Sequence, residues 1–140
     1  MLMGEYAHTI DAKGRVILPA DFRASLGEHF VITKGLDNCL FIFGENEWAA
    51  FEQKLRQLPL SNPKARSFMR YFISSGRTLE CDRQGRFLVP ASLRNHAMLK
   101  KDVILTGVSN RVEVWSKEEW DRYNDVEPGS MEETWAELGI

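Results

Sequence analysis

The chain contains the stretch Asp11-Ala-Lys-Gly-Arg-Val-Ile-Leu-Pro-Ala-Asp-Phe-Arg23 and a second version of it, Asp82-Arg-Gln-Gly-Arg-Phe-Leu-Val-Pro-Ala-Ser-Leu-Arg94. Both versions carry Asp, Gly, Arg, Pro, Ala and Arg at the same relative positions. Internal similarity of this kind indicates a duplicated structural unit. With one extra residue in the second copy, the matches continue: Val31-Ile32 with Val103-Ile104, Gly35 with Gly107, Asn38 with Asn110, and Glu47-Trp48 with Glu119-Trp120.

The local pattern is the same in both copies. A short strand leads into an Asp-x-x-Gly turn, where glycine accepts a positive φ. An apolar strand follows, and Pro19 or Pro90 is then expected at the first position of a short helix, where a missing N–H costs nothing. A Gly-x-x-Asn turn, in which both residues tolerate left-handed geometry, joins two more strands. The predicted strands are residues 7–10, 16–18, 30–34 and 39–43 in the first copy, and residues 77–81, 87–89, 103–106 and 112–115 in the second.

Helices are predicted after each set of strands. Residues 45–58 place Trp48, Phe51 and Leu55 at helical spacing, which indicates a core stripe. A further helix is predicted over residues 64–75. Ser116 with Glu119 is a capping-box pattern that opens a helix, and Ser130 with Glu133 either caps a short C-terminal helix or belongs to a loose tail.

These patterns divide the chain into four segments. Residues 5–47 form the first repeat and residues 76–119 the second repeat. Residues 48–75 are a helical connector, and residues 120–140 are a C-terminal helix with an acidic tail. A unit of this size is marginal alone because its surface is large relative to its core, so two units that share one core are expected.

The distribution of charge is polarised along the chain. The net charge is only −2, which argues against a nucleic-acid partner. Between residues 63 and 115, however, ten Lys and Arg stand against four acids, whereas from residue 116 onward two basic residues face eight acids. The basic half favours an anionic partner, although a solvated charged surface explains the same distribution.

The sequence lacks the usual signatures of enzymes, metal sites and membrane proteins. His8, His29 and His96 are not at metal-ligand spacing, and no Gly-rich phosphate loop, nucleophile elbow or HExxH motif occurs. Cys39 and Cys81 belong to no CxxC pattern and are interpreted as reduced thiols, unless the fold brings them together in a disulfide. We therefore predict no catalysis, cofactor, metal, small-molecule substrate or membrane association, and a cytoplasmic location.

Each repeat places an acid four residues before an arginine across its turn, Asp11 before Arg15 and Asp82 before Arg86. One interpretation is an ion pair that braces the turn, with Gly14 and Gly85 supplying the backbone geometry. The other is an arginine held rigid by the aspartate and presented to a phosphate or a guanine edge. The two interpretations are compatible.

The doubled Asp-x-x-Gly-Arg-x-x-x-Pro-x-x-x-Arg pattern resembles the swapped-hairpin DNA-binding domains of the AbrB/SpoVT family. Two copies in a chain of this length, the first opening with Tyr6-Ala-His8-Thr-Ile-Asp11-Ala-Lys13-Gly-Arg15, are similar to the MraZ family. The resemblance covers almost the whole chain. It implies a β-rich α+β fold in which two pseudo-symmetric βαβ units interleave within one chain. In the second copy Arg83-Gln84 replaces Ala12-Lys13, so the order of the positive residues differs.

The resemblance also implies a function. We expect a sequence-specific transcriptional regulator of the division and cell-wall gene cluster that acts on its own promoter and associates with the nucleoid. Its partners would be promoter DNA with short direct repeats and further copies of itself in a ring. The implied DNA contacts are Arg15, for a guanine edge or phosphates, and Lys13, for a phosphate; Arg86 and Arg83 in the second repeat rank lower.

Two alternatives stay open at this point. The chain is either such a regulator or a ring-forming protein-interaction scaffold without specific DNA binding. The segment 64–72, rich in aromatic and basic residues, either serves a contact between copies or packs on its own chain. Arg23 and Arg94 are expected to pair with nearby acids rather than to bind DNA.

Overall fold

A computed structural model describes all 140 residues, Met1 to Ile140. It confirms the predicted α+β class, with a six-stranded sheet, a separate two-stranded ribbon and six helices. No helix is long and apolar enough to cross a membrane. The elements in chain order are β1 (Leu2–Thr9), β2 (Arg15–Ile17), α1 (Ala20–Leu26), β3 (Phe30–Lys34), β4 (Leu40–Gly44), α2 (Glu45–Arg56), α3 (Pro63–Ile73), β5 (Arg77–Leu79), β6 (Arg86–Leu88), α4 (Ala91–His96), β7 (Asp102–Ser109), β8 (Val112–Ser116), α5 (Lys117–Tyr123) and α6 (Ser130–Leu138).

The six-stranded sheet interleaves the two repeats. Its strand order is β1-β7-β8-β4-β3-β5, and every pairing is antiparallel. The first strand of each repeat is added to the hairpin of the other repeat, because β1 pairs with β7 and β5 pairs with β3. When each strand is replaced by its counterpart in the other repeat, the same order results, read from the opposite edge of the sheet. The pseudo-twofold axis therefore passes between β8 and β4. The expected interleaved, pseudo-symmetric arrangement is therefore confirmed.

The remaining two strands, β2 and β6, pair with each other across the repeats and form the ribbon. Val16 and Phe87 face each other in this pairing and are fully buried. They belong to the inner cluster, the apolar core between the ribbon, helices α1 and α4, and one face of the sheet. Because each repeat supplies one ribbon strand, neither repeat completes this layer alone.

The opposite face of the sheet is also buried, which makes the molecule a three-layer structure. Alternate strand residues point there, including Phe41, Phe43 and Trp115, and they form the outer cluster with Leu55 of α2 and Phe72 of α3. The predicted stripe of α2 is confirmed, since Trp48 and Phe51 pack against the same cluster. Helices α2 and α3 therefore lie on one side of the sheet, and the ribbon lies on the other.

The structure corrects the alignment of the last two strands of each repeat. In the turn after β3, the Gly35 N–H donates to the Cys39 carbonyl. In the turn after β7, the Val108 N–H donates to the Arg111 carbonyl, so this turn is one residue shorter. Gly107 is thus a strand residue, not a turn residue, and a Cβ there would lie 2.4 Å from the Met3 nitrogen. Consistently, Ile32 and Leu105 both face the inner cluster, so Ile32 corresponds to Leu105 rather than to Ile104.

Several predicted boundaries also shift. β1 begins at Leu2 because its whole length pairs with β7, a contact that local sequence does not reveal. Pro19 and Pro90 precede their helices rather than beginning them: their backbone is extended, and their carbonyls accept the N–H of Arg23 and Arg94. The C-terminal helix α6 does form, with no buried residue.

Candidate nucleic-acid interface

The first turn, Asp11–Arg15, is a closed hydrogen-bonded loop. One carboxylate oxygen of Asp11 accepts the backbone N–H of Lys13 at 3.0 Å and of Arg15 at 2.9 Å. The other accepts the Arg15 Nε at 2.7 Å. Gly14 has a φ of +90°, a conformation that favours glycine. The aspartate therefore fixes both the backbone of the turn and the direction of the arginine.

The second turn, Asp82–Arg86, repeats this geometry. Asp82 accepts the backbone N–H of Gln84 and Arg86, each at 2.9 Å, and the Arg86 Nε at 2.9 Å. Gly85 has a φ of +77°. In both turns the pKa of the aspartate is held below its usual value, first because the carboxylate accepts backbone hydrogen bonds and further because the guanidinium stabilises its charge.

The terminal nitrogens of both motif arginines have no partner within the chain, because only their Nε atoms bond to the aspartates. About a third of each arginine side chain is exposed, 32% for Arg15 and 27% for Arg86. Lys13 and Arg83, at the tips of the two turns, are exposed as well. The structure thus brings all four predicted contact residues to the same layer.

The two arginines share the outward face of the ribbon. In the register, Arg15 lies opposite Leu88 and Ile17 lies opposite Arg86, while the buried pair Val16 and Phe87 points inward. The exposed face therefore carries two arginines alternating with two aliphatic residues, Ile17 at 45% and Leu88 at 52% exposure. Diagonal neighbours in such a pair are about 7–8 Å apart, which places the two arginines side by side.

Each turn is also held by the other repeat. The Gly14 carbonyl accepts the N–H of Val89, and the Gly85 carbonyl accepts the N–H of Leu18, both at 2.9 Å. A Cβ built on Gly14 would lie 2.0 Å from Nη1 of Arg94, and a Cβ built on Gly85 would meet Arg23 in the same way.

The contacts of Arg23 and Arg94 correct the sequence-based expectation. Neither arginine forms the predicted ion pair with an acid. Each lies instead against the turn glycine of the opposite repeat. Only the interleaved topology brings these groups together, so no local sequence pattern indicates the contact.

The two ends of the ribbon differ in charge. Beside the first turn lies the loop Lys100–Lys101, whose Lys101 carbonyl accepts the Ile10 N–H at 2.8 Å. Near the second turn lies His29, whose ring nitrogen is 3.7 Å from a Glu80 carboxylate oxygen. The carboxylate of Glu28 joins this exposed group, with ligand atoms within 4.8 Å of one another. The first-turn end is therefore the more basic one, an asymmetry that the doubled motif does not reveal.

Other predicted features have structural outcomes. Segment 64–72 lies in α3 and packs partly on its own chain, since Phe72 is buried, but Phe68 is 42% exposed. The Ser116 hydroxyl does cap α5 by accepting the Glu119 N–H. The reciprocal half of the capping box is absent, because the Glu119 carboxylate bonds Arg122 and Asn38 instead. Cys39 and Cys81 are free thiols, and burial raises the pKa of both.

Comparison with known proteins identifies relatives along the whole chain. The family model described as "MraZ protein, putative antitoxin-like" matches residues 1–71 and again residues 72–136. A protein named Transcriptional regulator MraZ from Alkaliphilus oremlandii (strain OhILAs) is 53% identical over 143 residues, covering all of both chains. One of the same name from Thermoanaerobacter sp. (strain X514) is 58% identical over 133 residues, which are 95% of this chain and 93% of the relative. A third, from Desulfitobacterium hafniense (strain DSM 10664 / DCB-2), is 56% identical over 89% of this chain and 87% of its own length.

These matches confirm the predicted relationship and its tandem organisation, while the finer segment boundaries remain a prediction. Relatives that share more than half of their residues with this chain are named as transcriptional regulators, so the family is one of regulators and not one of enzymes. The chain belongs to the MraZ family.

Proposed function

We propose that the protein is a sequence-specific DNA-binding transcriptional regulator that contacts the major groove with the exposed face of its ribbon. Arg15 is the principal base or phosphate contact, Arg86 is its counterpart in the second repeat, and Lys13 and Arg83 bind phosphates at the flanks. The names of its relatives support the regulatory role, and the geometry of the two turns supports the contact residues.

The observation that carries this proposal is the pair of arginines whose terminal nitrogens are free while their Nε atoms are fixed by aspartate. A guanidinium in that state presents a planar donor fork, which suits the O6 and N7 acceptors of guanine or two phosphate oxygens. The major groove, about 12 Å wide, admits a two-stranded ribbon. The side chains on the exposed face of this ribbon are suited to reach base edges there.

The proposal includes the wider role implied by the family resemblance. The protein binds short direct repeats upstream of its own gene in the division and cell-wall gene cluster, as a cytoplasmic, nucleoid-associated ring. Two arginines and two flanking basic residues give each chain a small contact set. Copies linked in a ring gain effective concentration at neighbouring repeats, so weak single contacts add up to stable binding. This is consistent with a chain of net charge −2.

A binding titration at several salt concentrations tests the proposal. The probes are the DNA upstream of the protein's own gene and a scrambled duplex of equal length. We expect preference for the upstream DNA and a steep loss of affinity with salt, because neutralised phosphates release counterions. Equal binding to both duplexes would withdraw the claim of sequence specificity.

The same titration separates the regulator from a pure protein-interaction scaffold, the other candidate from sequence. A scaffold retains neither duplex at any salt concentration. The exposed apolar and acidic surface of α6 is the feature that favours a protein contact, and it lies outside the ribbon, so the two roles are testable independently.

A further inference from the structure

Helix α6 carries an apolar stripe that nothing in its own chain covers. Met131, Trp135 and Leu138 are spaced four and three residues apart and therefore lie on one face of the helix. They are 56%, 63% and 68% exposed, and no residue of α6 is buried. Exposed large apolar side chains on one helical face mark an interaction surface rather than a solvated tail.

A second unpartnered apolar surface lies along α3. The α3 groove has a volume of about 370 Å³ and is lined by Leu60, Arg66, Met69, Arg70, Ile73 and Ser74. Leu60 is 74% exposed and Ile73 is 38% exposed. Arg66 donates through Nη1 to the Leu60 carbonyl at 2.8 Å, which holds the preceding loop beside the helix. The groove thus combines an apolar floor with a basic rim.

The two surfaces have opposite charge. Helix α3 contains Lys64, Arg66 and Arg70 and no acid, whereas α6 contains Glu132, Glu133 and Glu137 and no base. None of these six residues forms an ion pair within the chain. Three unpaired cations lie beside one apolar surface and two unpaired carboxylates, Glu132 and Glu137, flank the other, so the two surfaces are complementary in both charge and polarity.

We propose that α6 of one copy docks in the α3 groove of a second copy, with the stripe on the apolar floor and Glu132 and Glu137, which flank the stripe, on the basic rim. The contact joins two different surfaces, so it is head-to-tail and propagates until the assembly closes. The proposal rests on the proposed function for the existence of the assembly and names the contact that builds it. Because α3 packs on the outer cluster, this contact lies across the sheet from the ribbon and leaves the candidate DNA face open.

Complementary variants test this contact through mass. Trp135→Glu places a charge in the stripe and leaves the groove intact. Leu60→Glu combined with Ile73→Glu places two charges in the groove and leaves the stripe intact. We expect each variant alone to sediment as a single chain, while the native chain is an oligomer. An equimolar mixture retains one intact contact per pair and is expected to give a one-to-one dimer and nothing larger.

Matched controls keep the test specific. Ala136→Glu adds the same charge to the polar face of α6, and Ser67→Glu adds it to α3 outside the groove; both are expected to keep the native mass. Reversing Arg66 and Arg70 to Glu should dissociate the assembly, and combining that change with Glu132→Lys and Glu137→Lys, the two glutamates that flank the stripe, should restore it. Circular dichroism checks that each variant is folded.

Three results would overturn the docking proposal: a native chain that is a single chain at all concentrations, variants that keep the native mass, or a mixture that never forms the dimer. A stripe variant that dissociates while the groove variant does not would place the partner of α6 elsewhere.

Binding to a short duplex with one repeat is measured in the same samples. Retained salt-sensitive DNA binding by single chains would leave the proposed function standing even if the docking contact fails.

Discussion

The two motif arginines are oriented by protein groups before any ligand arrives. Asp11 and Asp82 each accept two backbone N–H groups as well as the arginine Nε, so the guanidinium loses little freedom on binding. A preorganised donor binds more tightly than a mobile one because less side-chain entropy remains to be lost. The Asp–Arg ion pair that braces each turn therefore also orients the arginine for binding.

Replacing Arg15 with Ala is expected to weaken binding to the upstream DNA by about 1–3 kcal/mol, roughly 5- to 150-fold, if it bonds a base edge. The same change at Arg86 should cost less, because the first-turn end has Lys100 and Lys101 nearby while the second has Glu28 and Glu80. Fluorescence anisotropy with each single variant measures the difference. An Arg86→Ala protein weaker than Arg15→Ala would reverse this ranking.

The lowered pKa values of Asp11 and Asp82 predict how the free energy of unfolding depends on pH. Their pKa values lie below the ordinary value in the folded chain, so the unfolded chain takes up protons first as the pH falls. The stabilisation is complete above about pH 5 and is lost as the pH falls through the depressed pKa values, below about pH 4. Urea unfolding of the native chain and of Asp11→Asn with Asp82→Asn measures this. The double variant should be less stable at pH 6 and lose less between pH 5 and pH 3; parallel curves would argue against the brace.

At the scale of elements, the duplicated motif predicted most strands and the short helix after each turn, because apolar alternation and turn residues are local signals. It did not predict the length of β1, the register of β7 or the partners of Arg23 and Arg94. Each of those depends on a strand or turn from the other repeat. The ion pairs across the turns were within reach of sequence reasoning because acid and arginine are four residues apart.

The close approach of Arg94 to Gly14 predicts how a substitution of this glycine affects stability. Gly14→Ala is expected to cost about 1–3 kcal/mol of unfolding free energy from its positive φ, and the new Cβ would also displace the Arg94 guanidinium from its contact with the turn. Gly129→Ala is the matched control, since Gly129 has a φ of +85° in the left-handed region and no atom within 4 Å of its Cβ position. Chemical denaturation should rank Gly14→Ala as the more destabilising change. Equal losses would mean that the Arg94 contact adds nothing.

At the scale of the whole molecule, interleaving ties the two repeats into one cooperative unit. Both sheet edges and the ribbon are built from strands of both repeats, so neither half retains its core without the other. The charge polarity and the tandem motif were visible in sequence. The separation of the ribbon from the α3 groove by a sheet was not, because it depends on which face each helix covers.

One unfolding transition is therefore expected for the entire chain. Trp48 lies on α2, directly after the first repeat, whereas Trp115 and Trp120 belong to the second repeat and its following helix; all three pack in or against the outer cluster. Trp135, on α6, is exposed. Fluorescence of the native chain and of a Trp48→Phe variant should give the same midpoint as far-UV circular dichroism. Probe-dependent midpoints at matched protein concentration would show that the repeats unfold separately.

The central claim is that the ribbon turns face DNA, and directed DNA cleavage tests it directly. An iron–EDTA group is attached at Ala12→Cys, on the exposed first turn, or at Gln57→Cys, at the end of α2 across the sheet, both in a Cys81→Ser background. Cys39 is fully buried, so its thiol is inaccessible to the reagent. We expect the Ala12 conjugate to cut the upstream DNA at one position in each repeat and the Gln57 conjugate to leave it uncut. Cleavage from Gln57, or none from Ala12 on DNA that the protein binds, would contradict the account.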